Sequence, residues 1–411
     1  MTSSQPPPLK EHMSKRFAVK VLGGRERIDA LGFFVAIAST LSLVTFPYKI
    51  LADDPTNHAP VQNQNWPLAR GDAESTGWSS ELLAEDLQVR WEFKADDPIE
   101  ATPVISDGQI IVADVAGKIY AIKQTTGKEI WRKDYETGFL TSAAIDEQVA
   151  VIGDFDGNLY AINVKDGSEL WKKTTEGEIS GSVSFHDGNV LATSQDGKLY
   201  CFSRVDGSTL WTYQTDDQIR CSPTIALGHT FLGGCDGQLH VVDLDTGKAK
   251  GQPLPLGGPT GSTPSVRGTS AFVPIMDGAI LAFDWKQGKE IWRYEDEDRS
   301  QEYRNSAAAT DELVIVSSQY RQVDAIAIDT GKRKWRHTLR RRADASPVVA
   351  GNDVWIASTD GRLVRLDIAD GKEKWNYEIK GSFMAGPAIA GGELFIADDE
   401  GVLRCFSAKP G

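Results

Sequence analysis

The residues of this chain that could do chemistry are four cysteines, six histidines, one short acidic loop and a run of three arginines, Arg340-Arg341-Arg342. Their spacing excludes most of the chemistry their types would allow. Asp154-Phe155-Asp156-Gly157-Asn158 opens like a calcium loop, but the spacing is wrong and Lys165 stands where the terminal glutamate would be, so it reads as a hairpin turn. The histidines are scattered and show no metal-ligand spacing. Neither Gly-x-Ser-x-Gly nor His-Glu-x-x-His occurs, and no Gly-Lys pair is followed by Ser or Thr. Cys201 and Cys405 both begin a Cys-Phe-Ser triplet far apart in the chain and read as buried apolar residues. Cys221 and Cys235 lie symmetrically about Gly228, where a cross-strand disulfide would fit an oxidising compartment; the competing reading is two unrelated thiols.

The elements that must position these residues are written in a period. Tryptophans fall at 91, 131, 171, 211, 292, 335 and 375, four of the gaps being 40 residues. The wide gap between Trp211 and Trp292 holds two periods, with Gly251 where a tryptophan would sit. Within each unit, short β-rich runs alternate with turn pairs such as Asp107-Gly108, Asp196-Gly197, Asp236-Gly237, Thr246-Gly247 and Asp370-Gly371. Four antiparallel strands per unit over eight units predict an all-β, eight-bladed β-propeller over residues 87–411. The chain enters on a tryptophan strand, Leu87–Lys94, and its last unit lacks one, so pairing the two ends should close the ring.

The repeat also carries a specific motif, Ala-x-Asp-x-x-Thr-Gly-x-x-x-Trp, in five good copies: 121–131, 161–171, 282–292, 325–335 and 365–375. On these copies the chain resembles the pyrroloquinoline-quinone-like repeat propellers, the family that includes the outer-membrane assembly factor BamB. The resemblance implies that the seven tryptophans dock neighbouring blades, and burial of an indole is worth roughly 3–5 kcal/mol. Quinone-dependent dehydrogenases of that superfamily also need acidic and amide calcium ligands, a catalytic aspartate and often a vicinal cysteine pair. This chain has no adjacent cysteines, and its inner-strand runs, such as ATPVI, TSAAI and CSPTI, are small and almost uncharged. The expectation is therefore a binding scaffold with no catalytic residues, no cofactor and no metal, and a monomeric propeller.

Ahead of the ring, residues 1–29 are basic, residues 30–50 apolar, 51–65 a polar spacer and 66–86 a lead-in expected to pack across one face. Residues 30–48 run nineteen positions without a charge, long enough for a membrane helix, with basic residues before it. That segment reads as a transmembrane signal anchor or, alternatively, as a cleavable signal peptide; both put the propeller in the periplasm or another extracytoplasmic space. Residues 1–52 carry seven basic and three acidic residues, which leaves the remainder of the −14 chain at −18. So acidic a body argues against a nucleic-acid partner.

Departures from a regular repeat mark candidate function. They cluster in three successive units. One has Gly251 and a Pro/Gly-rich run, the next a long loop, EDEDRSQEYRN (295–305), and Gln319-Tyr320-Arg321-Gln322 in place of an Asp-Gly turn, and the third opens on Arg340–Arg342. Inter-blade connections and the turns between second and third strands emerge on one face. Tyr303, Arg304, Tyr320, Arg321, Arg340, Arg341 and Arg342 are thus predicted to form one interaction rim beside the acidic run Glu295–Asp298. The partners expected are proteins of the cell envelope, with a glycan- or small-ligand-binding sensor as the alternative. A loop salt-bridged to its acidic neighbours would be the structural reading of the same residues.

Overall fold

Short turns, most of them carrying a glycine, close the hairpins of the chain, and the strands between them stack into eight four-stranded antiparallel blades. The structure is a computed structural model that describes residues 64–409. The basic segment 1–29, the apolar segment 30–50 and most of the 51–65 spacer lie outside the described residues. No helix among the described residues is long and apolar enough to cross a membrane.

The first blade shows the pattern. Its strands are Val104–Ser106, Gln109–Ala113, Lys118–Lys123 and Glu129–Asp134, in that order from the axis outward. The second and third strands are buried almost end to end, because neighbouring blades cover both of their faces. The outer strand is largely exposed and keeps only part of its surface against the next blade. Ala121 pairs with Trp131 and Ile122 with Glu129, so Ile130 is bulged out of register and left 43 % exposed. The bulge turns the indole toward the following blade. The same register shift sits beside Trp91, Trp171, Trp211, Trp292, Trp335 and Trp375.

Closure follows the sequence expectation. Leu87–Lys94 is the outer strand of the eighth sheet and pairs with Val402–Ala408, Trp91 opposite Cys405. Phe395 and Phe406 of that sheet share one buried cluster with Trp355 of the seventh blade and Tyr120 of the first. The fourth blade is the irregular one. Its outer strand is reduced to Leu254–Pro255, which pairs only with Leu239 and Gln238.

The lead-in does not merely cover a face. It runs inside the ring against the innermost strands. Carbonyls of Pro67, Ala73, Glu74, Thr76 and Gly77 accept the amides of Ile145, Ile225, Val266, Ala309 and Val349. Trp66 exchanges both backbone hydrogen bonds with Ile105, and Trp78–Ser79 adds a parallel strand to the seventh blade. Six of the eight inner strands would otherwise present those amides to the axis unpaired, which is the physical reason for the path.

Candidate functional site

Two regions collect side chains that the repeat does not explain. The first is the rim of the fifth to seventh blades, and the structure brings most of its predicted members together. Gln319 N donates to Glu302 O (2.9 Å) and Leu339 N to Arg321 O (2.9 Å), so the 318–322 turn is held between the two flanking connections. Arg321 Nη1 donates to Arg340 O (3.4 Å), and the Arg299 guanidinium lies 5.6 Å from the centre of the exposed Tyr320 ring. Arg340 pairs with Glu378 (3.3 Å), Arg342 with Asp344 (3.0 Å) and Arg304 with Glu302 (2.6 Å). Arg321 and Arg341 are exposed and make no ion pair with any described residue.

Tyr303 is the exception and corrects the expectation. It is 1 % exposed and packs with Phe272, Tyr294 and Val316. The long loop folds its aromatic inward because burying a tyrosine ring gains more than solvating it. Burial also pushes its hydroxyl pKa up. Part of the acidic run is likewise withdrawn from the rim. The Asp296 side chain is fully covered, bonded by Arg336 (2.8 Å), Arg333 (3.4 Å) and Gln301 (2.6 Å). Glu295, Glu297 and Asp298 instead line a cleft of about 480 Å³ against Thr330–Arg333.

The expected Cys221–Cys235 disulfide is also corrected: all four cysteines are free. Thr224 pairs with Phe231 and Ala226 with His229, so the same register carried outward sets Cys221 opposite Gly234, not Cys235. A one-residue offset sends the two side chains to opposite faces. Cys221 Sγ donates to Gly233 O (3.3 Å), and burial pushes its thiol up to about 12.

The docking tryptophans behave as expected, with a contact the motif did not specify. Indole Nε1 of Trp91, Trp131, Trp171, Trp211 and Trp335 donates to the carbonyl 33 residues on, in the next blade, at 2.7–3.1 Å. Trp292 reaches Ile328 O (2.8 Å) across the longer unit. Trp375 faces the last blade and stacks edge-on against Phe406 instead.

The second region was missed from sequence. A cavity of about 200 Å³ lies on the axis, bordered by Thr102, Ser142, Ser182, Ser222, Thr263, Ser306, Ser346 and Gly386, one from each blade, and by Arg70 of the lead-in. It opens where the inter-blade connections emerge, the face that carries the rim. The signal was the hydroxyl recurring at one place of the inner-strand run; Arg70, outside the repeat, had no such signal.

A closed eight-bladed ring with tryptophan-docked blades defines a propeller of the quinoprotein-like repeat class. The family described as outer membrane protein assembly factor BamB matches residues 79–178, 155–252 and 253–411, and the chain belongs to that family. BamB from Moraxella catarrhalis is similar in structure, with a TM-score of 0.69 and 21 % identity, over 79 % of this chain and 99 % of that one. A quinohemoprotein alcohol dehydrogenase from Comamonas testosteroni superposes with a TM-score of 0.73 at 15 % identity, over 85 % of this chain and 82 % of that one. A europium-containing methanol dehydrogenase gives 0.70 at 12 % identity, over 84 % and 98 %. At such identities these structures share the fold. No curated protein sequence matches the chain.

The axial cavity does not suit the quinone of the dehydrogenases. A flat tricyclic cofactor needs a slot with rings on its faces, and no aromatic side chain lines this cavity. Its volume is below the roughly 300–1,000 Å³ of ordinary cofactor sites. Among the described residues no trio of His, Cys, Asp or Glu is placed to hold a metal.

Proposed function

We propose that this protein is a non-catalytic, membrane-tethered propeller of the extracytoplasmic space that holds protein partners together, in the setting of envelope or outer-membrane protein assembly. Membership of the BamB family supports the setting. The rim carries the reading: Tyr320, Arg321 and Arg341 stand exposed on one face of an acidic protein, and the two arginines have no carboxylate partner among the described residues. Exposed tyrosine and arginine are the residue types that dominate binding hot spots. The apolar segment 30–50 supplies the tether in this reading, retained as a signal anchor.

In-cell photocrosslinking from positions 340–342, read by mass spectrometry, tests the proposal. The expected result is a discrete envelope protein whose crosslink is lost when Arg340, Arg341 and Arg342 are all changed to alanine. Full affinity in the triple variant would sink the rim as the interface. Dye-linked alcohol oxidation after adding quinone and calcium would overturn the non-catalytic reading.

A further inference from the structure

The inner hydroxyls form a relay around the axis. Ser142 N donates to Ser182 Oγ (3.0 Å), Ser182 N to Ser222 Oγ (2.9 Å) and Ser222 N to Thr263 Oγ1 (3.0 Å). Thr263 N donates to Ser306 Oγ (2.9 Å), and Ser306 N to Ser346 Oγ (3.1 Å). Each hydroxyl oxygen is thus an acceptor for the blade before it. A hydroxyl has one proton as well as its lone pairs. None of these five donates that proton to an acceptor among the described residues, and all five residues line the cavity. A ring whose oxygens each already accept a bond from the neighbouring blade and whose protons are spare is suited to an anion.

Arg70 supplies the charge. It is 7 % exposed and borders the same cavity. Its Nη2 donates to Ala307 O (3.1 Å) and Pro347 O (2.8 Å), while its Nε has no partner among the described residues. No carboxylate of a described residue lies in ion-pair contact with it: the nearby Asp72 acts on it through space, but its oxygens bond the Thr76 amide (2.9 Å) and hydroxyl. Burial lowers the guanidinium to about 10, so it stays charged at neutral pH. A buried charge with no carboxylate in direct contact is costly, and native structures generally pair such groups. The chain also makes room for it, since a Cβ on Gly77 would overlap the guanidinium.

We propose that the propeller axis is a binding site for one small oxyanion, held by the Arg70 guanidinium and the hydroxyls of Ser182, Ser222, Thr263, Ser306 and Ser346. About 200 Å³ admits a sulfate, a phosphate or a short carboxylate with a few waters, each taking about 30 Å³. Of the charged groups at the mouth, Asp344 is engaged by Arg342, and Arg220 by Gln218. Glu100 opposes the anion from the rim of the cavity. The −14 chain repels anions in general, so binding must be local.

The test is calorimetric titration of the full chain with sulfate, phosphate and acetate, with sodium chloride matching ionic strength. N-acetyl-aspartyl amide forms a further arm, standing for a carboxylate carried on a protein. One saturable site is expected, weakened at least tenfold in Arg70→Gln and severalfold in Thr263→Val, which keeps the side chain's shape. Tighter binding of the aspartyl amide than of acetate would assign the anion to a protein partner; the reverse would assign it to free solute. Crystals of the unaltered protein soaked in selenate, read by anomalous scattering, need no variant to fold: a peak is expected inside the hydroxyl ring. No saturable binding, binding unchanged in both variants, or selenate peaks only elsewhere would overturn the site. The rim residues take no part, so failure here leaves the proposed interface standing.

Discussion

The indole of Trp131 lies on Gly167 of the next blade. A Cβ on that glycine would fall 2.8 Å from the ring, and Nε1 donates to Val164 O at 2.8 Å. One turn therefore meets two demands. Gly167 has φ +72°, which glycine adopts without strain, and it has no side chain to displace the indole.

Replacing Gly167 by alanine should therefore cost more than the backbone alone explains. Gly108 has a similar φ of +77° but open space around it. Gly108→Ala is expected to cost about 1 kcal/mol, and Gly167→Ala roughly 2–4 kcal/mol, the excess being the displaced indole. Urea denaturation of the two variants checks the difference; equal losses would show that the ring contributes nothing there.

Trp131→Ala should cost about 3 kcal/mol and Trp131→Phe about 1–2 kcal/mol, since phenylalanine keeps much of the packing but cannot donate to Val164 O. Equilibrium unfolding of both variants measures the split.

All four thiols should be countable after denaturation without reductant, and reduction should not change the mass. In the folded protein Cys235, the one cysteine that is not buried, should alkylate first at pH 8. Burial holds Cys201 at about 11 and Cys221 at about 12, where thiolate is scarce. A mass two units lower that recovers on reduction would restore the disulfide.

The Asp296 carboxyl gives a signed pH dependence. Burial pushes its pKa up, but hydrogen bonds from Arg336, Gln301 and the Asp298 amide more than offset this and hold it below the usual value. A carboxylate depressed in the folded state contributes stability that is present above its unfolded pKa, near 4, and lost as pH falls through the folded value. Asp296→Asn should therefore lower stability at pH 7 and flatten its decline in acid. Parallel melting curves from pH 7 to pH 3 would contradict the assignment.

Arg321→Ala and Arg341→Ala should leave stability within about 0.5 kcal/mol, because neither guanidinium is ion-paired to a described residue. Arg336→Ala should cost about 3 kcal/mol or more, because it takes from the buried carboxylates of Asp324 (2.6 Å) and Asp296 (2.8 Å) the guanidinium that bridges them. Thermal unfolding separates the two groups. Similar losses in all three would mean that the rim arginines are structural.

The repeat, the eight blades, the docking tryptophans and the closure by Leu87–Lys94 were all legible in the sequence. Each depends on local turns and a fixed period, and local rules suffice to write them. Most of the rim was legible too, since Tyr320, Arg321 and Arg340–Arg342 sit on connections whose face follows from strand order. The tertiary structure decided what depends on register and on convergence at the axis. Cys221 and Cys235 look symmetric about Gly228 along the chain, yet the strand pairing is offset by one residue and separates them. Tyr303 reads as a loop residue, but the loop turns back and buries it between the fifth and sixth blades. Residues 66–79 carry no repeat, and only unpaired amides on separate inner strands draw them into the ring. The spare hydroxyl protons around Arg70 arise in the same way: the serines and the threonine are written 40 to 43 residues apart, and only the closed ring sets them around one charge.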